Sequence, residues 1–466
     1  MSFTVEAGTR RLRLPHYLGY ASGDAANNLA FSMTSLFLLV YYTDVVGMSA
    51  AAAGTLFLVI RVWDAFADVF AGRVVDATMT RWGKFRPFFL FGAVPLMLLS
   101  VATFTVPALA EGATAVLLAY LTYGLLGLVY SLVNIPYGSL ASAMTQVPEE
   151  RGRLAGFRMI GTASTMILLA LVVAPQLQRF QGDPDGLQQS LLVTTALFGV
   201  VGVLLYLFLF RTATEQVPRT VAKVSLKQSL GTLRRNQPLM VLCVASLAFL
   251  CGMFALTTAQ AYYARDVLQN ANYIIVLTLL SSGAIFLIAP FIPWVIRTVG
   301  KKHGFVGFGA IGVVGGVVIS LGPPSVPVVP LVGFGLVGVA VAGVNTLMWA
   351  LEADTVEYGE WRTGVRTEGT TYALFSFTRK LGQAVGGAAA AYAIGIGGYV
   401  ANAPAQSEAA LWWITAAAGF LPAAFILVGI VLFLRYPLTE AAFAEMVEQT
   451  RARRADTRAG ERKEVP

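Results

Sequence analysis

Charged side chains are scarce in this 466-residue sequence. Asp, Glu, Lys and Arg make up 12% of it, whereas hydrophobic residues make up 56%. A soluble globular domain carries roughly 25% charged residues, so this chain has too little polar surface to face water on all sides. The scarcity of charge excludes a soluble globular domain and predicts a membrane protein.

Cysteine and histidine are also rare, with two of each. Cys243 and Cys251 both fall in one apolar stretch, where a thiol packs as a small apolar group, so neither a disulfide nor a metal site is predicted. His16 and His303 lie at predicted helix ends, which excludes a proton relay through buried imidazoles. Any transported proton must therefore be carried by carboxylates.

Several catalytic signatures are missing as well. The sequence contains no GxxxxGK[ST] nucleotide loop, no HExxH and no GxSxG. An ATP-driven pump or an intramembrane hydrolase needs one of these arrangements of phosphate-binding or catalytic groups. We therefore expect no enzyme activity, no catalytic residues, no resident cofactor and no metal centre.

Long apolar stretches fill most of the chain. A membrane-spanning helix needs roughly 20 mostly apolar residues, and the sequence offers twelve such stretches with short polar breaks between them. This pattern predicts an all-α membrane protein. The predicted helices cover 17–43, 50–72, 87–107, 113–140, 155–175, 190–210, 239–263, 273–296, 304–322, 328–351, 370–397 and 409–435.

Basic residues are concentrated in alternate loops and at both termini. Only Arg179 and Arg265 fall in the remaining loops. Because Lys and Arg are retained on the cytoplasmic side, we expect a multi-pass protein of the bacterial inner membrane with both termini in the cytoplasm. The net charge of +8 then follows from topology in the lipid bilayer, and no nucleic-acid partner is predicted.

A long polar segment divides the chain. It contains two prolines and six basic residues and separates six predicted helices from six more, the layout of transporters built from two helix bundles. We therefore expect the complete transport pathway within one chain. The predicted parts are an N-terminal bundle (1–210), a cytoplasmic linker (211–238), a C-terminal bundle (239–435) and a cytoplasmic tail (436–466).

Helix two carries three charges on one face. Arg61, Asp64 and Asp68 are three and four residues apart, which aligns them along a helix. Two carboxylates one turn apart repel each other, and a cation or a proton between them relieves the repulsion. This stripe is the best candidate for a cation-coupling site, although a purely structural ion triad stays open as the alternative.

Other polar side chains recur at intervals of three and four within the predicted helices. Such faces can converge on one cavity, whereas an isolated Asn or Ser more often forms a hydrogen bond between helices. Charged residues at this depth indicate function more strongly. The candidate substrate-binding residues are Asp24, Asn27, Asn28, Asn134, Arg158, Tyr372, Ser376, Lys380 and Gln383, and Ser131 precedes Asn134 by one turn.

Charged loop motifs follow helices two and ten. Ion pairs between such residues can form in one conformation and break in another, although topology and lipid headgroup contacts explain the same charges. We expect a gating role for these residues together with Arg61. The loop residues are Asp76, Arg81, Lys84, Arg86, Asp354, Glu357 and Arg366.

Several long motifs carry a resemblance to a known family. Tyr-Tyr-Thr-Asp at 41–44, Arg61-Val-Trp-Asp-Ala-Phe-Ala-Asp68, Arg-Trp-Gly-Lys-Phe-Arg-Pro at 81–87 and Met-Trp-Ala-Leu-Glu-Ala-Asp at 348–354 resemble the glycoside–pentoside–hexuronide:cation symporters of the major facilitator superfamily. The similarity spans about 19–438 and is strongest to the glucuronide subgroup. It implies the major facilitator fold and symport of a sugar or sugar acid with a cation.

The resemblance also implies roles for single residues. It assigns the cation site to Asp64 and Asp68, and the sugar site to the positions of Asp24, Asn134, Arg158 and Lys380. In melibiose carriers of the family an Asn and a Thr complete the cation site, where this chain has Ala67 and Ser131. Loss of one oxygen ligand favours a proton over sodium as the coupling ion.

One charge difference from the melibiose carriers bears on the substrate. Melibiose carriers have an acidic residue at the position of Asn134, so the cavity here has lost a negative charge while Arg158 and Lys380 remain. This favours an anionic sugar such as a glucuronide, held by a charge-assisted pair. Sodium-coupled symport of a neutral glycoside, transport of another amphipathic anion, and a membrane sensor without turnover stay open as alternatives.

Overall fold

The computed structural model describes residues 11–145, 148–215, 236–363 and 368–439, together with 442–443, 445–446 and 448–449. The first six predicted helices form as continuous segments, and four of them (α2, α4, α5 and α6 below) are longer than the predicted apolar stretch. They are α1 (Leu14–Val40), α2 (Ala50–Ala77), α3 (Arg86–Thr103), α4 (Gly112–Met144), α5 (Pro148–Arg179) and α6 (Pro184–Thr212).

The second six predicted helices also form, two of them in pieces. The eighth predicted helix breaks at Gly283 and again at a 3-10 turn (Ala289–Phe291), and the twelfth breaks at Gly419. Pro290 and Pro293 lie in and just after the 3-10 turn, and Pro422 lies just after Gly419. Proline favours such breaks because its ring removes a backbone donor and clashes with the preceding turn. The elements are α7 (Gln237–Tyr262), α8 (Tyr273–Ser282), α9 (Ala284–Ile288), α10 (Ile292–Thr298), α11 (Lys301–Leu321), α12 (Val328–Thr363), α13 (Glu368–Ile396), α14 (Glu408–Ala418) and α15 (Phe420–Phe433).

Ten membrane-spanning candidates are found among the described residues by length and apolar composition. The first and eleventh helices, α1 and α13, are 27 and 29 residues long, enough to cross a bilayer, and carry most of the polar side chains predicted to form the substrate site. The predicted twelve-helix, all-α fold is confirmed.

Both α1 and α7 end in a π-helical turn. The turn after α1 covers Tyr41–Val45 and the turn after α7 covers Tyr263–Val267. Asp44 and Asp266 occupy the same, fourth position of the two five-residue turns. Since π-helical turns are rare and often occur at functional sites, the recurrence marks the corresponding ends of the first and seventh helices.

The chain forms two compact units that do not follow the division into sequence halves. The first unit combines Met1–Val221 with Thr257–Ser282 and Gly387–Ala418. It therefore holds α1–α6, the end of α7 with its π-helical turn, α8, the end of α13 and α14. The domain boundaries expected from the linker stay a prediction.

The second unit combines Ala222–Leu256, Gly283–Gly386 and Gly419–Pro466. Its core is apolar and aromatic, with Phe305 stacked on Phe433 at 4.0 Å between ring centroids. Small residues let its helices approach closely, because a Cβ added at Gly315 of α11 would lie 2.7 Å from the Gly333 carbonyl oxygen of α12.

Candidate cation and substrate sites

The charged stripe of α2 points inward and its apolar stripe points outward. Trp63, Phe66 and Phe70 are exposed, whereas Asp64 is buried. This is the reverse of a helix in a soluble protein, and it suits a helix that faces lipid on one side and protein on the other. The buried face is the one on which the sequence predicted the cation site.

The two carboxylates of the stripe have different partners. The Arg61 Nη1 donates to Asp64 Oδ2 at 2.8 Å, which forms an ion pair within the helix. The Ser131 hydroxyl, from α4, donates to Asp68 Oδ1 at 2.6 Å. The structure thus joins Asp68 and Ser131, two of the three predicted cation-site residues, and pairs the third with Arg61.

Arg61 has a second partner on α4. Its Nη2 donates to the Tyr123 hydroxyl at 3.2 Å, and the exposed fraction of its side chain is 17%. Ala67, between the two aspartates, is buried and has no side-chain oxygen. Two carboxylates, the Ser131 and Tyr123 hydroxyls and the Arg61 guanidinium are therefore brought together at this stripe.

A second polar cluster surrounds Asp24 of α1. The Arg158 Nε, from α5, donates to Asp24 Oδ1 at 2.9 Å, and the Thr162 hydroxyl one turn further donates to Asp24 Oδ2. The Asn28 Nδ2 donates to the same Oδ2 at 2.9 Å. Side chains of α1 and α5 thus share one carboxylate.

Exposure differs strongly within this cluster. The Asp24 side chain is 3% exposed, whereas the Arg158 side chain is 38% exposed and its guanidinium carbon lies 5.3 Å from the Tyr137 ring centroid. A ligand can therefore reach Arg158 more readily than Asp24. The geometry makes Asp24 the group that orients Arg158.

The neighbouring polar residues of α1 and α4 have separate surroundings. The buried Tyr206 hydroxyl of α6 donates to Asn27 Oδ1 at 2.7 Å, and the Ser32 hydroxyl donates to Asn28 Oδ1 at 3.1 Å. Asn134 is half-buried on α4, one turn beyond Ser131. Asn27 and Asn28 thus already contribute to contacts between or within helices.

The predicted residues of α13 lie in the second unit. Ser376, Lys380 and Gln383 are half-buried, and the Tyr372 side chain lies outside the described residues. Their neighbour Arg379 donates from Nη1 to Asn345 Oδ1 of α12 at 2.8 Å. Its guanidinium carbon lies 5.2 Å from the Trp349 ring centroid.

The predicted gate after α2 has a partner that sequence reasoning missed. The Glu215 carboxylate accepts hydrogen bonds from the backbone N–H groups of Lys84 (2.8 Å), Phe85 (2.9 Å) and Arg86 (3.2 Å). Arg86 also donates from Nη2 to the Phe210 carbonyl at 2.7 Å. This loop is therefore joined to the end of α6.

The remaining gating predictions have mixed outcomes. Arg81 is exposed, with its guanidinium carbon 4.4 Å from the Trp82 ring centroid. The Lys301 ammonium of α11 donates to both carboxylate oxygens of Asp354, at 2.8 and 2.5 Å. Glu357 is half-buried on α12, and the Asp76 side chain and Arg366 lie outside the described residues.

Three further residues form a buried ionic cluster that no candidate set included. Arg265 contacts Asp44 and Asp266. The sequence offered a signal for two of them. Asp44 lies in a motif shared with the family, and Arg265 is one of only two basic residues in the loops predicted to lie opposite the cytoplasm. Their pairing could not be read from positions 221 residues apart.

The comparisons with known proteins decide the family. The family described as MFS/sugar transport protein matches residues 19–440. The chain belongs to this family. The predicted resemblance to the glycoside–pentoside–hexuronide:cation symporters is thereby confirmed, and the chain is a multi-pass membrane transporter rather than an enzyme.

Individual relatives agree with this assignment. The chain is 46% identical over 433 residues to a glucuronide carrier protein homolog of Escherichia coli, covering 92% of this chain and 94% of the relative. It is 34% identical over 449 residues to an uncharacterized symporter of Bacillus subtilis, covering 96% of each chain. Sugar transport is thus the class in which this protein belongs.

A solved structure shows the same fold. A bacterial homologue of the human drug peptide transporters superposes with a TM-score of 0.66, covering 95% of this chain and 100% of that one at 13% identity. At this identity the likeness concerns the arrangement of helices alone. The side-chain clusters described above therefore rest on this chain's own residues.

Proposed function

We propose that this transporter is a symporter that imports a glycoside, preferentially a glucuronide, together with a proton by alternating access. The observation that carries the proposal is the grouping of two carboxylates one turn apart on the inward face of α2. Asp64 forms an ion pair with Arg61, and Asp68 accepts a hydrogen bond from the Ser131 hydroxyl of α4. Two carboxylates at this spacing repel each other when both are ionised, and a transported cation relieves the repulsion.

A proton at Asp68 suits these surroundings. Protonation makes the stripe of Arg61, Asp64 and Asp68 neutral overall, and a neutral stripe costs less to hold in a low-dielectric environment than a charged one. Sodium instead requires several oxygen ligands, and Ala67 supplies none. The residues support a proton as the coupling ion and Asp68 as its carrier.

The Asp24 cluster supports an anionic sugar. Arg158 is held by Asp24 yet is more than one-third exposed, so a carboxylate on the substrate can approach its guanidinium. Arginine binds carboxylates through charge-assisted hydrogen bonds, which are roughly twice as strong as neutral ones. Lys380, half-buried on α13, is the proposed second cation. The name of the glucuronide carrier homolog agrees with this substrate class.

The test is uptake by vesicles containing the purified protein. A labelled glucuronide and a neutral glycoside with the same aglycone are supplied with a pH gradient or a sodium gradient imposed separately. We expect the pH gradient to drive accumulation of the glucuronide and the sodium gradient alone to have no effect. Sodium-driven accumulation would reject proton coupling, and ligand binding without uptake would favour a sensor.

The variant Asp68→Asn tests the proposed proton carrier. An amide imitates the protonated carboxyl, so we expect exchange of labelled for unlabelled substrate to continue while accumulation driven by the pH gradient is lost. Asp185→Asn on the exposed first turn of α6 is the matched control and should accumulate substrate normally. Normal accumulation by Asp68→Asn would contradict the assignment. Asp64→Asn is a poorer probe, because it also removes the carboxylate that pairs with Arg61.

A further inference from the structure

A buried ionic cluster lies at the ends of α1 and α7. The Arg265 guanidinium is bound on two sides. Its Nη1 donates to Asp44 Oδ2, and its Nε and Nη2 donate to Asp266 at 3.2 and 3.0 Å. The exposed fractions of the side chains are 7% for Arg265, 2% for Asp44 and 8% for Asp266.

The loop that follows α13 completes the cluster. The Tyr399 hydroxyl accepts from Arg265 Nη2 at 2.5 Å and donates to Asp44 Oδ1 at 2.8 Å. Burial raises the pKa of this hydroxyl well above its usual range, so it keeps the proton that it donates. The Asn402 Nδ2 donates to the Asp44 carbonyl at 2.8 Å.

The cluster joins helices from the two sequence halves within the first compact unit. Asp44 belongs to the turn after α1, whereas Arg265 belongs to the turn after α7. A second link runs beside it, since the Thr43 and Tyr262 hydroxyls lie 2.8 Å apart. The ends of α1, α7 and α13 are therefore tied together at one place by polar contacts.

The two carboxylates have different consequences despite their equivalent positions. Asp266 is the sequence neighbour of Arg265, so their pair stays within one π-helical turn. The Asp44–Arg265 pair, in contrast, connects the ends of two different helices. Removal of either acid takes one negative charge from a cluster of one cation and two anions. Each single change therefore leaves Arg265 with one carboxylate partner.

We propose that the Asp44–Arg265 pair is a lock that holds this end of the transport pathway closed and must break when that end opens. The inference rests on the proposed alternating access, which requires contacts that form in one state and separate in the other. In the proposed orientation the lock faces the periplasm. Tyr399 and Asn402 stabilise it by positioning Asp44.

A reporter for opening can be placed seven residues before Arg265. Thr258 of α7 is buried, and a Cβ placed on Gly387 of α13 would lie 3.5 Å from its Oγ1 and 3.8 Å from the Phe57 ring of α2. Cysteine is close to threonine in size. Thr258→Cys, with Cys243 and Cys251 both changed to Ala, gives one thiol covered by neighbouring helices while the lock is closed.

The test measures how fast a membrane-impermeant maleimide labels this thiol from each membrane face. We expect Asp44→Asn to raise the labelling rate from one face by about fivefold or more, the lower end of typical coupling between conformational states. Asp266→Asn removes the same charge from the same cluster without cutting the connection between helices, and should leave the rate near that of the parent.

Two outcomes would overturn the lock. One is an equal change of labelling in Asp44→Asn and Asp266→Asn, which would indicate a general effect of charge. The other is an unchanged rate in Asp44→Asn at parental levels of protein in the membrane. Because labelling needs neither substrate nor a gradient, failure of the lock is distinguishable from failure of proton-coupled glucuronide transport, which the vesicle experiment reports separately.

Discussion

Single charged residues in this protein act through the partners that the fold gives them. Asp24 and Arg158 were both expected to contact substrate, yet Asp24 is nearly enclosed by Arg158, Thr162 and Asn28. A carboxylate that already accepts hydrogen bonds from three donors has little capacity left for a ligand. Asp24 therefore positions Arg158, and the more exposed arginine is the group expected to meet the sugar.

The charge on Arg158 should matter most for a substrate that carries a carboxylate. We expect Arg158→Gln to raise the glucuronide concentration that gives half-maximal uptake by about tenfold, as loss of a charge-assisted hydrogen bond of roughly 1.5 kcal/mol implies. The corresponding concentration of the neutral glycoside should change much less. Lys380→Gln should show the same preference. The measurement is the concentration dependence of uptake for both substrates in vesicles.

The comparison between two substrates separates recognition from damage to the site. A general distortion around Asp24 would reduce uptake of both substrates alike, and such equal losses would contradict the proposed role. Arg179→Gln serves as the matched control, because Arg179 is an exposed arginine at the end of the same helix. Its uptake of either substrate should equal that of the parent.

At the scale of helices, the loop between α2 and α3 depends on a distant carboxylate. Phe85, the residue before α3, has a side chain that cannot cap the helix. The backbone N–H groups of Phe85 and Arg86 donate to the Glu215 carboxylate instead. Gly83 has a φ of +106°, a conformation that favours glycine, and a Cβ there would lie 2.6 Å from the Glu215 carboxylate. The chain beyond α6 thus closes the start of α3.

Removal of this cap should destabilise the first unit. We expect Glu215→Ala to lower the free energy of unfolding by about 1–2 kcal/mol, the upper range for loss of a helix cap, and thereby to lower the apparent melting temperature of the purified protein. Glu111→Ala is the matched control, since exposed Glu111 precedes α4 without capping it. Equal melting temperatures for the two variants would contradict the cap.

At the scale of the molecule, topology follows from an even number of helices and from loop charge. Twelve crossings predict that both termini lie on one side, and the basic loops predict that this side is the cytoplasm. We expect tags at the N- and C-termini to be cleaved by protease in inside-out vesicles and protected in right-side-out vesicles. Cleavage of the two tags from opposite faces would contradict the even count.

Much of the candidate cation site was readable from spacing alone. Intervals of three and four within one apolar helix align Arg61, Asp64 and Asp68 whatever the helix packs against. The same spacing favours Asp64, one turn from Arg61, over Asp68, two turns away, as its ion-pair partner. The partner of Asp68 was not readable, because the Ser131 hydroxyl that binds it lies on another helix.

The sequence by itself determined the number of membrane-spanning helices, the buried face of α2 and the family. These features depend on composition and on the fixed period of the α-helix, which are local properties. Only the tertiary structure decided that Asp24 holds Arg158, that Glu215 caps α3 and that Asp44 binds Arg265. Such pairs join residues more than a hundred positions apart, and their distances depend on how whole helices pack.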